Sequence, residues 1–118
     1  MSEKNNNQQN VPHHVYLVIN SQIFPIKKDK ISIGRKLDND LVIQDHLVSR
    51  YHAEIKCKDG KYTINDLDST SGTYLNNKRI ERGILYSGDL ILVANIPIMF
   101  IDESGPLESA ADKKTSSI

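Results

Sequence analysis

Short segments in which apolar and polar residues alternate run through most of this chain, and no stretch shows sustained helical spacing. Val15-Leu17-Ile19, Ile31-Ser32-Ile33 and Ala53-Ile55-Cys57 are three of these segments. A period of two places alternate side chains on opposite faces of an extended backbone, so each segment predicts a strand. The first segment is also apolar at Tyr16 and Val18, on its second face.

Turn signals separate the predicted strands. Asp59-Gly60 is a strong hairpin signal, because both residues accept positive φ angles, and Asn76-Asn77 predicts a second hairpin. Gly88-Asp89 predicts a turn before Leu90, and Pro25 places its strand near a sheet edge or bulge. Many short strands joined by turns predict an all-β sandwich or barrel, and strands apolar on both faces favour a two-sheet β-sandwich.

The two ends of the chain differ from this pattern. Residues 1–12 are rich in Asn, Gln and charge, and residues 103–118 follow with Gly105-Pro106 and small or charged residues. Neither end offers enough apolar surface to offset the entropy of ordering. The sequence of 118 residues therefore predicts one folded domain over residues 13–102, between two flexible tails.

Charge and cysteine usage exclude several classes of function. The 15 basic and 15 acidic residues balance, whereas duplex nucleic-acid binders usually carry a strongly basic domain. No signal-peptide core occurs, and no apolar run reaches the ~18 residues of a membrane helix. Cys57 alone builds neither a disulfide nor a cysteine zinc site, and its alternation predicts a buried, inert thiol. We therefore expect a cytoplasmic protein without direct nucleic-acid or membrane binding.

Three polar clusters fall between the predicted strands, where binding residues concentrate. They are Gly34-Arg35-Lys36, Ser49-Arg50-Tyr51-His52 and residues 66–76. Loops from alternate strand ends meet at one edge of a sandwich. If these three loops meet, Arg35, Ser49, Arg50 and Thr70 converge on one anion with several oxygens, such as a phosphate.

The order and spacing of these residues carry a family resemblance. Gly34-Arg35, Ser49-x-x-His52, Ser69-Thr70-Ser71-Gly72-Thr73, Asn76 and Gly88-Asp89 together resemble the forkhead-associated domain. The resemblance covers roughly Val15 to Ile101. It implies a two-sheet β-sandwich that recognises phosphothreonine in proteins phosphorylated by a Ser/Thr kinase, and it implies no cofactor or metal.

Residue roles follow from the resemblance by position. It implies that the phosphate is held by Arg35, Ser49, Arg50 and Thr70. It implies supporting roles for Gly34, His52, Gly72 and Asn76, the glycines through backbone conformations and His52 by tying loops together. Asn76 is expected to brace a loop without touching the ligand.

Two further residues bear on peptide recognition. The family usually has Asn before the glycine of the third loop, but this chain has Ser71, whose shorter hydroxyl forms fewer bonds to a peptide backbone. The resemblance also implies that the second loop contacts residues that follow the phosphothreonine. Leu47 lies in that loop and predicts a preference for an apolar side chain there.

Two rival interpretations differ in class from a phosphopeptide module. An enzyme would use Asp66 and Asp68 with His52 for acid–base work or cation binding, but capping of the Ser- and Gly-rich turn is the favoured role of these carboxylates. No nucleophile-elbow, phosphate-loop or zinc-protease spacing occurs, and His13-His14 is interpreted as solvated. The second rival is a structural or assembly module of the same fold that does not bind phosphate, or that pairs through a sheet face.

Overall fold

The computed structural model describes residues 15–103, which form two antiparallel-rich sheets packed face to face. The first sheet has six strands in the order β2-β1-β11-β10-β7-β8: β1 Val15–Ile19, β2 Gln22–Pro25, β7 Thr73–Leu75, β8 Lys78–Ile80, β10 Leu90–Val93 and β11 Ile96–Asp102. The second has five strands in the order β4-β3-β5-β6-β9: β3 Lys30–Gly34, β4 Leu41–Val42, β5 Ala53–Lys58, β6 Lys61–Asp66 and β9 Arg82–Leu85.

The predicted all-β sandwich is confirmed. Within residues 15–103 there is no helix long and apolar enough to cross a membrane. The predicted domain limits at residues 13 and 102 and both tails fall at or beyond the ends of the described part, as do His13 and His14. Those limits stay predictions.

The core lies between the sheets and consists of the inward side chains of the alternating segments. Leu17, Ile33, Ile55, Ile64 and Phe100 are among the fully buried side chains. The Phe100 ring packs at 53° to the ring of Tyr62, with centroids 5.3 Å apart. Tilted aromatic pairs at this distance add to the stabilisation from burial alone.

The predicted hairpins form where residues adopt positive φ. Asp59 and Gly60 have φ of 54° and 77° in the turn between β5 and β6. Asn76 and Asn77 have φ of 50° and 71° between β7 and β8. Pro25 ends β2, an edge strand, where its missing N–H costs no ladder bond.

Three features differ from the sequence-based predictions. Arg82–Leu85 forms β9, which pairs with β6, although the segment carries Gly83 and no clear alternation. The Asn95-Ile96-Pro97 run predicts a turn and a strand from Ile98, but β11 begins at Ile96 because Ala94 and Asn95 form the turn. Cys57 is a free, half-buried thiol near the turn of the β5–β6 hairpin, so the prediction of a buried thiol is wrong.

The turn that leaves β6 is organised by the Asp66 carboxylate. Its oxygens accept hydrogen bonds from the Ser69 hydroxyl at 2.6 Å, the Ser69 backbone N–H at 3.1 Å and the Thr73 hydroxyl at 2.6 Å. Burial acts to raise the pKa of Asp66, but these hydrogen bonds outweigh it and leave the pKa below its usual value. Asp66 therefore acts as the predicted turn cap and fixes the path of residues 67–72.

We expect Phe100→Ala to reduce the free energy of unfolding by about 3–5 kcal/mol, because it removes a fully buried aromatic side chain from the centre of the core. The neighbouring Met99 is 41% exposed on the opposite side of β11, so Met99→Ala serves as the control with a change within about 0.5 kcal/mol. Urea denaturation measures both. Equal losses would contradict the assignment of inner and outer faces.

We also expect the stability of the domain to depend on Asp66 in acid. A carboxyl group with a lower pKa in the folded state stabilises the fold above the unfolded pKa, about 3.9, and loses this contribution as pH falls through the folded value. The free energy of unfolding should therefore fall below about pH 4, and fall less steeply in Asp66→Asn. Chemical denaturation over a pH series measures the two slopes, and parallel curves would contradict the assignment.

Candidate functional site

The three loops that carry the predicted binding residues lie at one end of the sandwich. β3 and β6 end there and β5 begins there, since Ile33 pairs with Ala53 and Ala53 pairs with Asp66. The loops comprise residues 35–40, 43–52 and 67–72, and we call their exposed surface the rim. Antiparallel pairing alone therefore gathers segments that are more than thirty residues apart in sequence.

Arg35 begins the first of these loops and is tied to the second. Its backbone N–H donates to the Ser49 carbonyl at 3.0 Å, and its side-chain Nε donates to the Val48 carbonyl at 2.9 Å. The residue is nevertheless exposed. A guanidinium held at Nε keeps its two terminal nitrogens available as a fork of donors.

Ser49 connects the second loop to the third. Its hydroxyl oxygen accepts the backbone N–H of Thr70 at 3.2 Å. Because the hydroxyl is the acceptor in this bond, its own proton is available for donation outward. The structure thus places Arg35, Ser49 and Thr70 next to one another, with Arg50 directly following Ser49.

His52 lies behind these residues, fully buried, and bridges two loops. Its Nδ1 accepts the Ser49 backbone N–H at 3.0 Å, and its Nε2 lies 2.8 Å from the Gly72 carbonyl oxygen. A backbone N–H can only donate and a carbonyl can only accept, so the ring is neutral with its proton on Nε2. Both nitrogens are engaged, which fits a structural role and leaves neither nitrogen for acid–base work.

Gly34 and Asn39 support Arg50 from the first loop. A Cβ atom at position 34 would lie 2.2 Å from the Arg50 carbonyl oxygen and 2.7 Å from Asn39 Nδ2, so no side chain fits. The Asn39 amide donates to the carbonyls of Lys36 at 2.9 Å and Arg50 at 2.8 Å. Sequence reasoning missed Asn39. The Asp38-Asn39-Asp40 run indicates a turn. Nothing in the run indicates that the Asn39 amide donates to the Arg50 carbonyl, eleven residues later in the chain.

Gly72 ends the third loop at a φ of +93°, which side chains disfavour. The Arg79 guanidinium and the Tyr74 ring cover it, and a Cβ atom there would approach them to 2.9 Å and 3.2 Å. The Gly72 carbonyl also accepts the Ala94 N–H at 3.0 Å. The glycine therefore joins the rim to the turn between β10 and β11 of the first sheet.

Tyr51 links the outer sides of two loops. Its hydroxyl donates to Asp38 at 2.8 Å, and the Lys36 ammonium lies 5.9 Å from the centre of its ring. The hydrogen bond to the Asp38 carboxylate raises the pKa of Tyr51, because ionisation would place two negative charges together. Tyr51 therefore donates at neutral pH.

Leu47 and Ser71 line a groove beside the rim. The groove has a volume of about 370 Å³ and is also lined by Tyr74, Leu92, Ala94 and Asn95. Leu47 is 43% exposed, in a turn held by the Asp45 carboxylate, which accepts its backbone N–H at 2.9 Å. The two residues predicted to contact the peptide thus share one mainly apolar surface.

Asn76 is the predicted residue that the structure does not bring to the rim. It lies at the other end of β7, where its amide donates to Asp89 at 3.0 Å and accepts the Leu90 N–H at 2.9 Å. It braces the turn before β10, so any support it gives to the site is indirect. Among residues 15–103, no group of three or more His, Cys, Asp or Glu side chains is arranged to hold a metal ion.

The rim therefore presents several hydrogen-bond donors on a backbone fixed from behind. The guanidinium of Arg35 and the hydroxyls of Ser49 and Thr70 point to charge-assisted binding of a small anion. No nucleophile with an adjacent base accompanies them in the part of the chain described here. The arrangement is suited to binding a small anion.

Comparison with known proteins identifies the family of the chain. The FHA domain family matches residues 31–94. The chain is 39% identical over 72 residues to an ABC transporter ATP-binding/permease protein of Mycobacterium tuberculosis, covering 61% of this chain and 8% of that protein. It is 31% identical over 87 residues to the glycogen accumulation regulator GarA of Mycolicibacterium smegmatis, covering 70% of this chain and 55% of that protein.

Solved structures agree. EmbR of M. tuberculosis, in complex with a low-affinity phosphopeptide, superimposes with a TM-score of 0.74 at 33% identity, over 78% of this chain and 25% of EmbR. A chain from a study of phosphothreonine-dependent FHA domain interactions gives 0.71 at 28% identity, over 78% and 97% of the two chains. The chain thus spans about half of GarA and a small part of the transporter. This protein belongs to the FHA domain family.

Proposed function

We propose that this FHA domain is a non-catalytic module of kinase signalling that binds proteins phosphorylated on threonine. The observation that carries the proposal is the convergence of Arg35, Ser49 and Thr70 at the rim, where Arg35 Nε binds the Val48 carbonyl and the Ser49 hydroxyl oxygen accepts the Thr70 N–H. Arg50 adds a second exposed cation beside Ser49. The partner is the product of a Ser/Thr kinase, and the proposal places the module in the cytoplasm, where kinases draw on ATP.

The chemistry of a phosphothreonine suits these donors. A phosphate monoester carries about −1.5 to −2 charges at neutral pH and has three acceptor oxygens. Hydrogen bonds to a charged group contribute about 1.5–3 kcal/mol each. Three or four such contacts contribute about 5–12 kcal/mol before association costs are subtracted, so a dissociation constant no tighter than about 1 µM is expected. A net charge of zero is compatible with this, since the anion is recognised locally.

Preorganisation of the rim supports the same conclusion. The loops are already joined through Arg35 to Ser49 and Val48, and through His52 to Gly72. Ligand binding therefore need not order them, which lowers the entropic cost of association. The related EmbR structure, in complex with a low-affinity phosphopeptide, and the structure from the study of phosphothreonine-dependent FHA domain interactions support the proposal by analogy.

We expect Arg35→Ala to weaken phosphothreonine-peptide binding at least tenfold, about 1.4 kcal/mol, because it removes the charged fork from the rim. Lys61→Ala is the control, since Lys61 is an exposed cation beside the β5–β6 turn, at the opposite end of these strands from the rim. Titration calorimetry measures both, with a peptide selected from a library fixed at phosphothreonine. Each selected peptide is also titrated without its phosphate.

Two outcomes would contradict this proposal. Equal affinity of Arg35→Ala and the unaltered protein would mean that the phosphate binds elsewhere. Equal affinity for phosphorylated and unphosphorylated peptides would instead favour the assembly module without phosphate recognition, the role that Ser71 in place of Asn leaves open.

We further expect the groove beside the rim to select apolar residues after the phosphothreonine. A degenerate phosphopeptide library should enrich Leu, Ile, Val or Met at one such position, because Leu47, Tyr74 and Leu92 line the groove. Leu47→Lys should shift the enrichment toward Asp and Glu. Leu37→Lys is the control, since Leu37 is 75% exposed in the neighbouring loop and does not line the groove. Enrichment of acidic residues by the unaltered protein would contradict the assignment.

A further inference from the structure

The outward surface of the six-stranded sheet is apolar. Alternate residues of its strands face the core, and the remaining residues face outward. We call the apolar members of this outward set the apolar face, and they are Tyr16, Val18, Ile23, Pro25, Tyr74, Leu90, Leu92, Pro97, Met99 and Ile101. Arg79 on the edge strand β8 pairs with Tyr74 and is the charged residue of the set. Ile23 is 64% exposed and Met99 is 41% exposed. Within the described residues 15–103, the apolar face is therefore accessible to solvent.

Strand register makes this surface continuous. Val18 pairs with Ile23 on one side and with Met99 on the other, and Met99 pairs in turn with Leu90. Leu92 pairs with Pro97 on one side and with Tyr74 on the other, and these three residues form a second row beside the first. Cross-strand neighbours lie about 5 Å apart, so each row is a contiguous strip of apolar side chains.

The other sheet of the same domain shows what a solvated face looks like in this chain. Its outward positions are occupied by Lys30, Ser32, Glu54, Lys56, Lys58, Lys61, Thr63, Asn65, Arg82 and Ile84. Nine of these ten residues are polar or charged. The difference between the two outer faces is therefore specific, and contiguous apolar patches of this kind mark interaction sites.

The size of the apolar face limits what can cover it. Five strands about 4.8 Å apart and three rows about 7 Å apart give a footprint of roughly 500 Å². Two such faces bury about 1,000 Å² in total, the lower limit for a specific interface between proteins. The face is thus large enough for a weak but specific contact between two flat sheets.

Charge favours a second copy of this chain as the occupant. Arg79 lies at one end of the face beside Tyr74, and within residues 15–103 its guanidinium has no hydrogen bond or ion pair. Glu103 lies at the opposite end, where its carboxylate accepts the Tyr16 hydroxyl at 3.0 Å. A two-fold axis in the plane of the contact brings each Arg79 to the partner's Glu103, and a net charge of zero leaves no overall repulsion between copies.

We propose that the apolar face is a homodimer interface, in which the six-stranded sheets of two copies pack against each other around a two-fold axis. The contact involves neither the rim nor a ligand. It shares Tyr74 and Leu92 with the groove beside the rim, so it overlaps the proposed apolar-residue selection, but it is independent of phosphate binding by Arg35, Ser49 and Thr70.

Sedimentation equilibrium of the full chain without ligand tests the proposal. We expect the weight-average mass to rise from that of a monomer toward that of a dimer between about 10 and 500 µM, the range of weak interfaces. Met99→Asp should weaken dimerisation more than tenfold by burying an unpaired carboxylate, and Ile23→Asp should do the same from another strand. Ile84→Asp is the matched control, since Ile84 is 43% exposed on the other sheet, and it should leave dimerisation unchanged.

Charge exchange tests the two-fold arrangement. Arg79→Glu should weaken the dimer, and the double variant Arg79→Glu with Glu103→Arg should restore it. Circular dichroism confirms that each variant is folded. A protein that stays monomeric at 500 µM would overturn the proposal, as would equal losses in Met99→Asp and Ile84→Asp. A monomer with nuclear Overhauser contacts from the Met99 methyl group to residues 1–14 or 104–118 would assign the face to the chain's own ends and overturn it too.

Discussion

The bridge made by the His52 ring is the contact on which the rim depends. A buried imidazole joins the Ser49 N–H to the Gly72 carbonyl, and thereby joins the loop after β4 to the loop before β7. The first of these loops connects β4 to β5 within the five-stranded sheet, and the second crosses from β6 to β7 of the six-stranded sheet. The ring sets the distance between them, and the bond from Thr70 to Ser49 then follows at the surface. An alanine at position 52 would leave a buried donor and a buried acceptor without partners, which costs more than the loss of packing alone.

The first loop is held in a different way, by the close approach of its backbone to the backbone of the second loop. Gly34 lets the Arg50 carbonyl come within contact distance, and the Asn39 amide satisfies that carbonyl. Arg35 and Arg50 are therefore fixed through their main chains, while their side chains remain exposed. Cations placed this way keep their hydration until a ligand arrives, so the domain avoids the cost of burying unpaired charges.

Sequence could predict the features that are local. Alternation located most strands, and Asp59-Gly60 and Asn76-Asn77 identified hairpins because positive φ limits residue choice. Alternation did not predict β9, because Arg82 and Gly83 interrupt the alternation of apolar and polar residues. This segment forms a strand through its pairing with β6. The rim residues were found through the order of motifs, whereas Asn39 and the groove residue Leu92 depend on contacts distant in sequence. The burial of Cys57 was overestimated, because alternation indicates which face of the sheet a side chain lies on but not how deeply it is buried.

The rim and the apolar face illustrate two ways of making a surface specific in one small sandwich. The rim has few contacts, and its strength comes from charge-assisted bonds whose donors are held in place before binding. The apolar face has no charge at its centre and gains its free energy from area. Tyr74 and Leu92 belong both to this face and to the groove beside the rim, so the two surfaces meet along β7 and β10. A dimer formed through the face would leave Arg35, Ser49 and Thr70 accessible in each copy, because these residues lie on loops at the end of the sandwich and the face lies on its side.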